Sequence, residues 1–431
     1  EGCAPMAKPV HDEPVVVPVE VPEDKRDKVL ENKQLSMEII APEEKPAPEP
    51  KPVQPIEEVP VLSQKSHHFT LYGTECSVRF DISLLPYLKG TNRDAVADYW
   101  DELSRMDQMN NLLYDSCKLR DDMLLCDWAF YKLTESLSDS IYPYSQDEAA
   151  LFQAYVLTQA GFRLRLGYSD IDKHLHFIIA TECKLYEYPY WELDSGFYYL
   201  LDGSDVDSMK MVAVDFEGSL PMRLSIDQEN DFADNLSDPR QLTSETYQNV
   251  AANVRTNLNL LDFYNEYPQA VVNNDSRIRW RFYANVPASR NVREYLYPGL
   301  KEAVAGKSEL EAADMLLNFV QTAFLYESDD KLWGGDRAFY VDESLYYPYC
   351  DCEDRSILFS RLVRDLLGLD VVLIYYPGHL ATAVRFNQPV TGDYIAYKGA
   401  NYTVCDPTYI NARVGMTMPD MDNSEAFVIV L

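Results

Sequence analysis

The segment 347–384, YPYCDCEDRSILFSRLVRDLLGLDVVLIYYPGHLATAV, determines the predicted fold of the C-terminal part of the chain. Apolar residues recur at helical spacing through 356–367, and Gly368 follows as a helix stop. The runs VVLIYY and LATAV then indicate two adjacent strands joined by a Pro-Gly turn. The pattern therefore predicts a buried helix entered at Cys352 and a hairpin whose second strand begins at His379.

Three side chains of this region have the residue types of a thiol nucleophile, its base and an orienting acid. Cys352 would face the unpaired N–H groups and positive dipole of a helix start, which favour the thiolate, although the acidic Glu353 and Asp354 oppose that effect. His379 can accept the thiol proton if its other ring nitrogen is held, and Asp406 in NYTVCDPTY is the candidate acceptor. The sequence predicts a catalytic triad that needs no cofactor and no metal.

A Cys that opens a helix, a Gly-His pair on the next strand and an Asp-Pro after a later strand resemble the pattern of the transglutaminase-like superfamily. The chain is also similar to the transglutaminase-like proteins of bacterial envelopes that contain the motif DCEDR, and the resemblance covers 312–431. It implies a papain-like α+β fold in which a helix-borne Cys packs on an antiparallel sheet. It also implies acyl chemistry at an amide, with Cys352, His379 and Asp406 in the catalytic roles.

Amide attack also needs a donor for the developing oxyanion. The N–H of Cys352 can be one donor. The superfamily places a Trp or Gln on the helix before the Cys, and the resemblance therefore assigns this role to Gln321, with Trp333 as a second candidate.

An earlier part of the chain repeats the motif order, which predicts that the module is duplicated. YPY occurs at 142–144 and again at 347–349, and helix, Gly and strand signals follow in both places. Aligned through the helix, the first copy has Ser145 at the nucleophile position, with His176 and Asp202 as base and acid. A serine is poorly activated by a lone imidazole, so we expect this first site to be degenerate and inactive.

Composition limits the partners of this 431-residue chain. Its formal charge of −32 repels phosphate backbones, which argues against nucleic acid or an anionic membrane surface as partner. No run of eighteen apolar residues occurs, so no transmembrane span is expected. The partner class that composition leaves is a protein or peptide substrate, such as one of the cell envelope.

The N-terminal segment has a different composition. Residues 1–66 contain 12 of the 25 prolines, interleaved with Glu, Lys and Val, which predicts a disordered, charged spacer. A spacer that starts beside Cys3 resembles the tether of a bacterial lipoprotein, which would place the protein in the periplasm or envelope. The alternative is that Cys3 is an ordinary thiol.

The sequence predicts four regions. They are a linker at 1–66, a degenerate transglutaminase-like module at 67–204, a connecting α+β segment at 205–291 and the module with the triad at 292–431. In the connecting segment, RIRWRFYANVP alternates like a strand and TYQNVAANVRTNLNLLDFY has helical spacing.

Two alternatives to catalysis by the triad stay open. Cys350, Cys352 and Cys405 could hold zinc together with His379, although a single residue between two of the thiols is unusual for a zinc knuckle. The protein could also be a non-catalytic binding or scaffolding protein of the cell envelope. If it is an enzyme, we expect a cysteine peptidase or amidase, with hydrolysis preferred over transamidation.

Overall fold

The structure is a computed structural model that describes residues 28–42, 65–193, 196–214, 216–271, 275–419 and 421–431. It is mixed α+β. The described residues fall into two units: the first comprises 65–235 and 262–276, and the second comprises 28–42, 236–261 and 277–431, each with the gaps just given. Within the described ranges, every helix is too short or too polar to cross a bilayer.

The strands are listed here in chain order. They are β1 (Lys33–Leu35), β2 (Glu38–Ile40), β3 (Ser66–Leu71), β4 (Thr74–Arg79), β5 (Leu164–Tyr168), β6 (Leu175–Thr181), β7 (Lys184–Leu185), β8 (Tyr190–Leu193), β9 (Gly196–Tyr199), β10 (Lys210–Ala213), β11 (Arg240–Thr243), β12 (Ala251–Val254), β13 (Ala270–Val271), β14 (Leu325–Tyr326), β15 (Tyr349–Cys350), β16 (Val371–Tyr376), β17 (His379–Arg385), β18 (Asp393–Tyr397), β19 (Ala400–Cys405) and β20 (Phe427–Val430).

The α-helices are likewise given in chain order. They are α1 (Arg93–Ser104), α2 (Gln108–Asp122), α3 (Asp127–Ile141), α4 (Gln146–Gln159), α5 (Leu258–Glu266), α6 (Arg279–Asn285), α7 (Arg290–Tyr295), α8 (Tyr297–Val304), α9 (Glu309–Thr322), α10 (Asp329–Leu332), α11 (Val341–Tyr346) and α12 (Cys352–Leu367).

Each unit is built on one main sheet. The sheet of the second unit has the order β1-β18-β19-β17-β16-β20-β2, and the sheet of the first has the order β10-β5-β6-β9-β8. Among the five central strands of the larger sheet, β20-β16-β17-β19-β18, each adjacent pair is antiparallel, as is each adjacent pair in the smaller sheet. The five strands of each set follow the same order along the chain. The central hairpin, β16–β17 or β5–β6, comes first. A second hairpin, β18–β19 or β8–β9, pairs with its second strand, and the last strand, β20 or β10, pairs with its first.

The helix that carries Cys352 forms where the sequence predicts it. Asp351 caps α12 by accepting the N–H of Glu353, and Asp354 completes a capping box. At the other end Gly368 adopts a left-handed conformation with φ of 66°, which a residue without Cβ adopts at little cost. Ser356 then ties the helix to β17 by donating to the carbonyl of Leu380 at 2.9 Å. These contacts fix the start of α12 beside the start of β17.

The structure confirms several local predictions. The second strand of the hairpin begins at His379, and Asp406 directly follows β19.

The predicted spacer at 1–66 is wrong for 28–42. Within it, β1 and β2 pair in parallel with β18 and β20, and Leu35 is buried in the core of the larger sheet. Burial of an apolar side chain and pairing with an existing strand compensate for the conformational entropy lost when this short segment becomes ordered. The proline-rich composition of 1–66 as a whole did not predict this pairing. Residues 1–27 and 43–64, including the proposed lipid anchor Cys3, lie outside the described residues.

The connecting segment at 205–291 does not form a unit of its own, because its residues are divided between the two units. The predicted strand RIRWRFYANVP is helical from Arg279 to Asn285. Arg281 of this helix is buried and donates to the carbonyls of Val430 and Ile40. These partners are distant in sequence, and local alternation could not reveal them.

The long helix predicted at 246–264 is also wrong in its first half. β12 occupies 251–254, and α5 begins only at Leu258. Asn257 accounts for the late start, because its side chain accepts the N–H of Asn259 as a cap does.

Candidate active site

Cys352 is the first residue of α12, and its side chain is almost completely buried. Its thiol donates a hydrogen bond to Glu353 Oε2 at 3.1 Å. The backbone N–H of Leu380 donates a hydrogen bond to the sulfur from the start of β17. The sulfur therefore lies at the junction of helix and strand, beside the residue that follows His379.

The surroundings of Cys352 favour the thiol over the thiolate. Burial raises the pKa of Cys352 well above its ordinary value, and the negative charges of Glu353 and Asp351 raise it further. The Leu380 N–H lowers the pKa but does not outweigh them. The expectation that the helix start favours thiolate therefore fails in this state, because buried carboxylates surround the sulfur.

His379 and Asp406 form the predicted pair of base and acid. The Nε2–H of His379 donates to Asp406 Oδ2 at 2.9 Å, and both side chains are buried. Asp406 Oδ1 accepts the N–H groups of Thr408 and Tyr409, which fixes the carboxylate in the turn after β19. Within the described residues, His379 Nδ1 has no hydrogen-bond partner. It is therefore available to accept a proton.

The thiol and the imidazole are not hydrogen-bonded to each other in the described part of the chain. The structure joins them through Leu380, whose N–H contacts the sulfur and which directly follows His379 along β17. The proton of Cys352 is directed at Glu353 instead. The structure thus assembles the His379–Asp406 pair, and it places Cys352 next to that pair with its proton held by a third group.

A cluster of buried carboxyl groups lies around the helix start. Asp329, Asp351 and Asp354 bring ligand oxygens within 4.8 Å of one another, and Asp351, Cys352 and Glu353 form a second such group. Burial and neighbouring charges raise the pKa of Asp329 to about 7 and that of Asp351 to about 10. Either group has the oxygen ligands that a hard cation prefers. The same proximity explains why the carboxyls hold protons so firmly.

One wall of this region is accessible to solvent. Tyr326 of β14 is about half exposed, and its pKa is raised to about 12 by burial and then by the charges of Cys352 and Asp351. The exposed ring of Tyr326 therefore lies between solvent and the region around the buried Cys352.

Gln321, the predicted oxyanion donor, has a different role in the structure. Its side-chain nitrogen donates to the carbonyls of Asp406, Tyr409 and Ala412 at 2.9 to 3.1 Å. Both of its N–H bonds therefore stabilise the segment that follows β19. Trp333, the second candidate, packs edge-on against Phe339.

The zinc arrangement left open by the sequence is not formed within the described residues. Cys405 donates to the carbonyl of Thr403, and Cys350 is directed at the carbonyl of Leu325. Neither belongs to a group of potential ligands around Cys352, and neither does His379.

The first unit contains a second buried imidazole, at His176. Its Nδ1 lies 2.6 Å from Asp202 Oδ2, as the sequence predicts for base and acid, but its Nε2 lies 2.9 Å from Asp172 Oδ2. Burial lowers the pKa of His176, but the two carboxylates outweigh burial and raise it. With both nitrogens bonded, His176 cannot accept a proton from a nucleophile.

Ser145 does not lie at the position that corresponds to Cys352. Tyr168 pairs with Leu175 in the first unit as Tyr375 pairs with Leu380 in the second. The Leu175 N–H donates to Asp147 Oδ1 at 2.7 Å, where the Leu380 N–H meets sulfur.

By strand register, Asp147 therefore corresponds to Cys352, and His174 corresponds to His379. His174 Nδ1 lies 3.2 Å from Asp147 Oδ1. A sequence signal for this correspondence exists, because YPYSQD at 142–147 aligns without gaps with YPYCDC at 347–352, and His-Leu recurs at 174–175 and 379–380. Alignment through the helix, which requires a gap of two residues, missed it.

Sequence reasoning also missed Asp329, which reaches the helix start from α10, 23 residues before Cys352. No local pattern marks it. Comparison of the chain with protein-family models, with curated proteins and with solved structures found no match.

Proposed function

We propose that the second unit is a thiol-dependent hydrolase or acyltransferase that acts on amide bonds, in the manner of a peptidase or amidase. The main support is the buried His379–Asp406 pair, which leaves one imidazole nitrogen open beside the helix that presents Cys352. A held imidazole with a free Nδ1 is the arrangement that a thiol nucleophile requires.

The proposed reaction begins when the thiol leaves Glu353 and its proton passes to His379 Nδ1. The sulfur attacks the amide carbonyl, a C–S bond forms, and charge develops on the carbonyl oxygen near the N–H of Cys352. The C–N bond then breaks as His379 returns the proton to the leaving amine, which gives a thioester on Cys352. His379 next takes a proton from water or an amine, which attacks the thioester. The C–S bond then breaks, and the sulfur leaves with the proton that His379 returns to it.

We further propose that both units contain a transglutaminase-like module and that the first is a degenerate copy. The shared order of the five antiparallel strands supports this proposal, as does a helix directly before the central hairpin in each unit. An Asp in place of the sulfur supports the loss of catalysis in the first copy. His176, which the alignment through the helix assigned as the base, has both nitrogens bonded to carboxylates.

Alkylation of Cys352 by iodoacetamide tests the catalytic proposal. We expect Cys352 to react in the full chain at neutral pH, and we expect the rate to fall about tenfold in His379→Ala because the proton acceptor is lost. His176→Ala is the matched control and should leave the Cys352 rate unchanged. Peptide mass spectrometry reads the rate at each cysteine separately.

The second candidate function is a non-catalytic binding or scaffolding protein. One observation favours it: the Cys352 thiol is buried, hydrogen-bonded to a carboxylate and has a raised pKa. A Cys352 rate that equals that of the other buried cysteines, and that does not change in His379→Ala, would support this function against catalysis.

A further inference from the structure

The first unit contains a wide apolar groove. Its volume is about 1130 Å³. One wall is a face of α1 that includes Val96, Ala97 and Trp100, and the other is formed by β5 and β10, including Tyr168 and Val212. Val212 is 44% exposed although it lies on a strand, and Trp100 is only partly buried. An apolar concavity of this size next to a sheet edge is unusual for a surface without a partner.

The second unit shows what covers the same place in a sheet of the same strand order. Tyr375 corresponds in register to Tyr168, and its ring is stacked between Trp280 of α6 and Phe427 of β20, with centroid distances of 5.1 and 4.7 Å. There, the sheet face that Tyr375 belongs to is closed by an aromatic side chain from a separate segment.

The outer edge of β20 is covered as well. β2 pairs with it in parallel, from Glu38 opposite Phe427 to Ile40 opposite Ile429. The buried guanidinium of Arg281 joins the two strands by donating to a carbonyl of each. An extended segment thus completes this edge of the larger sheet.

β10 occupies the corresponding position in the first unit, but its outer edge is unpaired within the described residues. β10 pairs only with β5, and the sheet ends there. An unpaired strand edge offers backbone donors and acceptors to any extended chain that reaches it. The groove lies along that edge, with Val212 on one side and Trp100 on the other.

Charge indicates the chemistry of the partner. α1 carries four acidic residues and one basic residue, and three aspartates but no basic residue lie at 202–209, just before β10. The charged residues that line the groove itself are Arg93, Asp101 and Lys210, and the Lys210 ammonium is already paired with Asp170. These acidic residues, and the formal charge of −32 of the whole chain, would attract a partner segment that has basic residues on both sides of an apolar centre.

We propose that this groove binds an extended segment of a partner protein, which adds a strand to the outer edge of β10 and places an apolar or aromatic side chain between Trp100 and Tyr168, with basic residues on either side. The proposal is independent of catalysis at Cys352. It gives the first unit a binding function of its own.

The test uses a fluorescein-labelled peptide, RKVTVWVRK, and the full chain. Fluorescence anisotropy should show saturable binding that weakens as salt is raised. Val212→Lys, which places a like charge in the groove, should weaken binding at least tenfold, and Ala97→Lys on the facing wall should do the same. Leu84→Lys is the matched control, since Leu84 is 62% exposed and does not line the groove.

A second peptide, RKVPVPVRK, separates strand addition from charge attraction. Proline lacks the backbone N–H, so this peptide should not bind. Hydrogen exchange in 209–214 should slow when the first peptide is bound. Equal binding of both peptides, no saturation, or unchanged affinity in both lysine variants would overturn the proposal. Dimerisation of the chain that is abolished by Val212→Lys would also overturn it, because a second copy would then occupy the groove.

Discussion

His379 and His176 are two buried imidazoles that differ in how many of their nitrogens are bonded. Each lies on the second strand of a central hairpin and each meets an aspartate, Asp406 or Asp202. His176 meets a second carboxylate, from Asp172, whereas His379 Nδ1 stays open. The comparison teaches that the residue types of a triad do not define a base. One free nitrogen separates a group that can move a proton from a group that holds a fold together.

The largest expected effect is on stability. His176→Ala should lower the free energy of unfolding of the first unit by about 3 kcal/mol, because it leaves two carboxylates without the group that they share. His379→Ala should cost the second unit about 1 kcal/mol, because Asp406 keeps its two backbone donors. Urea denaturation of the full chain, followed by hydrogen exchange in each unit, measures both. Equal losses would break the comparison.

The stability lost in His176→Ala should depend on pH with a definite sign. The pKa of His176 is raised in the folded state, so the stability it contributes is fully present below its unfolded value and is lost as pH rises through the raised value. The cost of His176→Ala should therefore be larger at pH 5.5 than at pH 9. A cost that grows with pH would contradict a protonated imidazole.

The second prediction concerns Glu353, which has taken the place of His379 as hydrogen-bond partner of the thiol. Glu353→Gln should raise the alkylation rate of Cys352 about tenfold at pH 7.5. The substitution removes a negative charge that raises the pKa of Cys352, and it replaces the carboxylate that holds the thiol proton with a neutral, weaker acceptor. Peptide mass spectrometry measures the rate.

Glu302→Gln, an exposed substitution on α8, serves as the control and should leave the rate unchanged. A Glu353→Gln variant that reacts more slowly than the natural chain would instead make Glu353 the proton acceptor of the reaction.

The third prediction concerns the starts of α12 and α4. Within the described residues, a cluster of buried carboxyl groups lies only at the start of α12. The pKa of Asp329 is raised to about 7, so its contribution to stability is present below pH 4 and is lost between pH 4 and about 7. Asp329→Asn should remove that loss and stabilise the second unit at pH 8 relative to pH 4, by about 1 kcal/mol once the effect of the pKa shift is discounted for solvent screening. Denaturation curves at the two pH values provide the measurement.

The smallest effect is expected in the first unit. A cysteine introduced by Asp147→Cys would meet the Leu175 N–H and His174, and should be alkylated a few-fold faster than one introduced by Ser145→Cys. The Ser145→Cys thiol should react like an ordinary surface thiol because both nitrogens of His176 are bonded. A faster reaction in Ser145→Cys would restore the alignment through the helix and contradict the strand register.

The sequence predicted the elements that depend on local pattern. Apolar periodicity and Gly368 predict α12, and a Pro-Gly turn between two strand-like runs predicts the start of β17 at His379. The His379–Asp406 pair followed from these, because adjacent strands bring the two side chains together.

The remaining features depend on distant contacts. Arg281 of α6 donates to carbonyls of β20 and β2, which lie near opposite ends of the chain, and no local window of sequence contains these contacts. The high pKa of Cys352 reflects its burial first and then the charges of Glu353 and Asp351, so the helix position alone predicted the wrong direction. Residue type predicted the participants at the site, and packing determined which of them hold protons.

Acyl transfer to Cys352 tests the central claim most directly. The full chain is mixed with p-nitrophenyl acetate at pH 7.5, quenched in acid and digested with pepsin. The mass of the peptide that contains Cys352 is then measured by mass spectrometry. We predict an acetyl thioester on Cys352 that forms and is hydrolysed in repeated turnover in the natural chain and in His176→Ala, and that neither forms nor turns over at a comparable rate in His379→Ala. Acetylation of Cys352 at the same rate in His379→Ala, or none in the natural chain, would contradict the claim that an open imidazole activates this thiol.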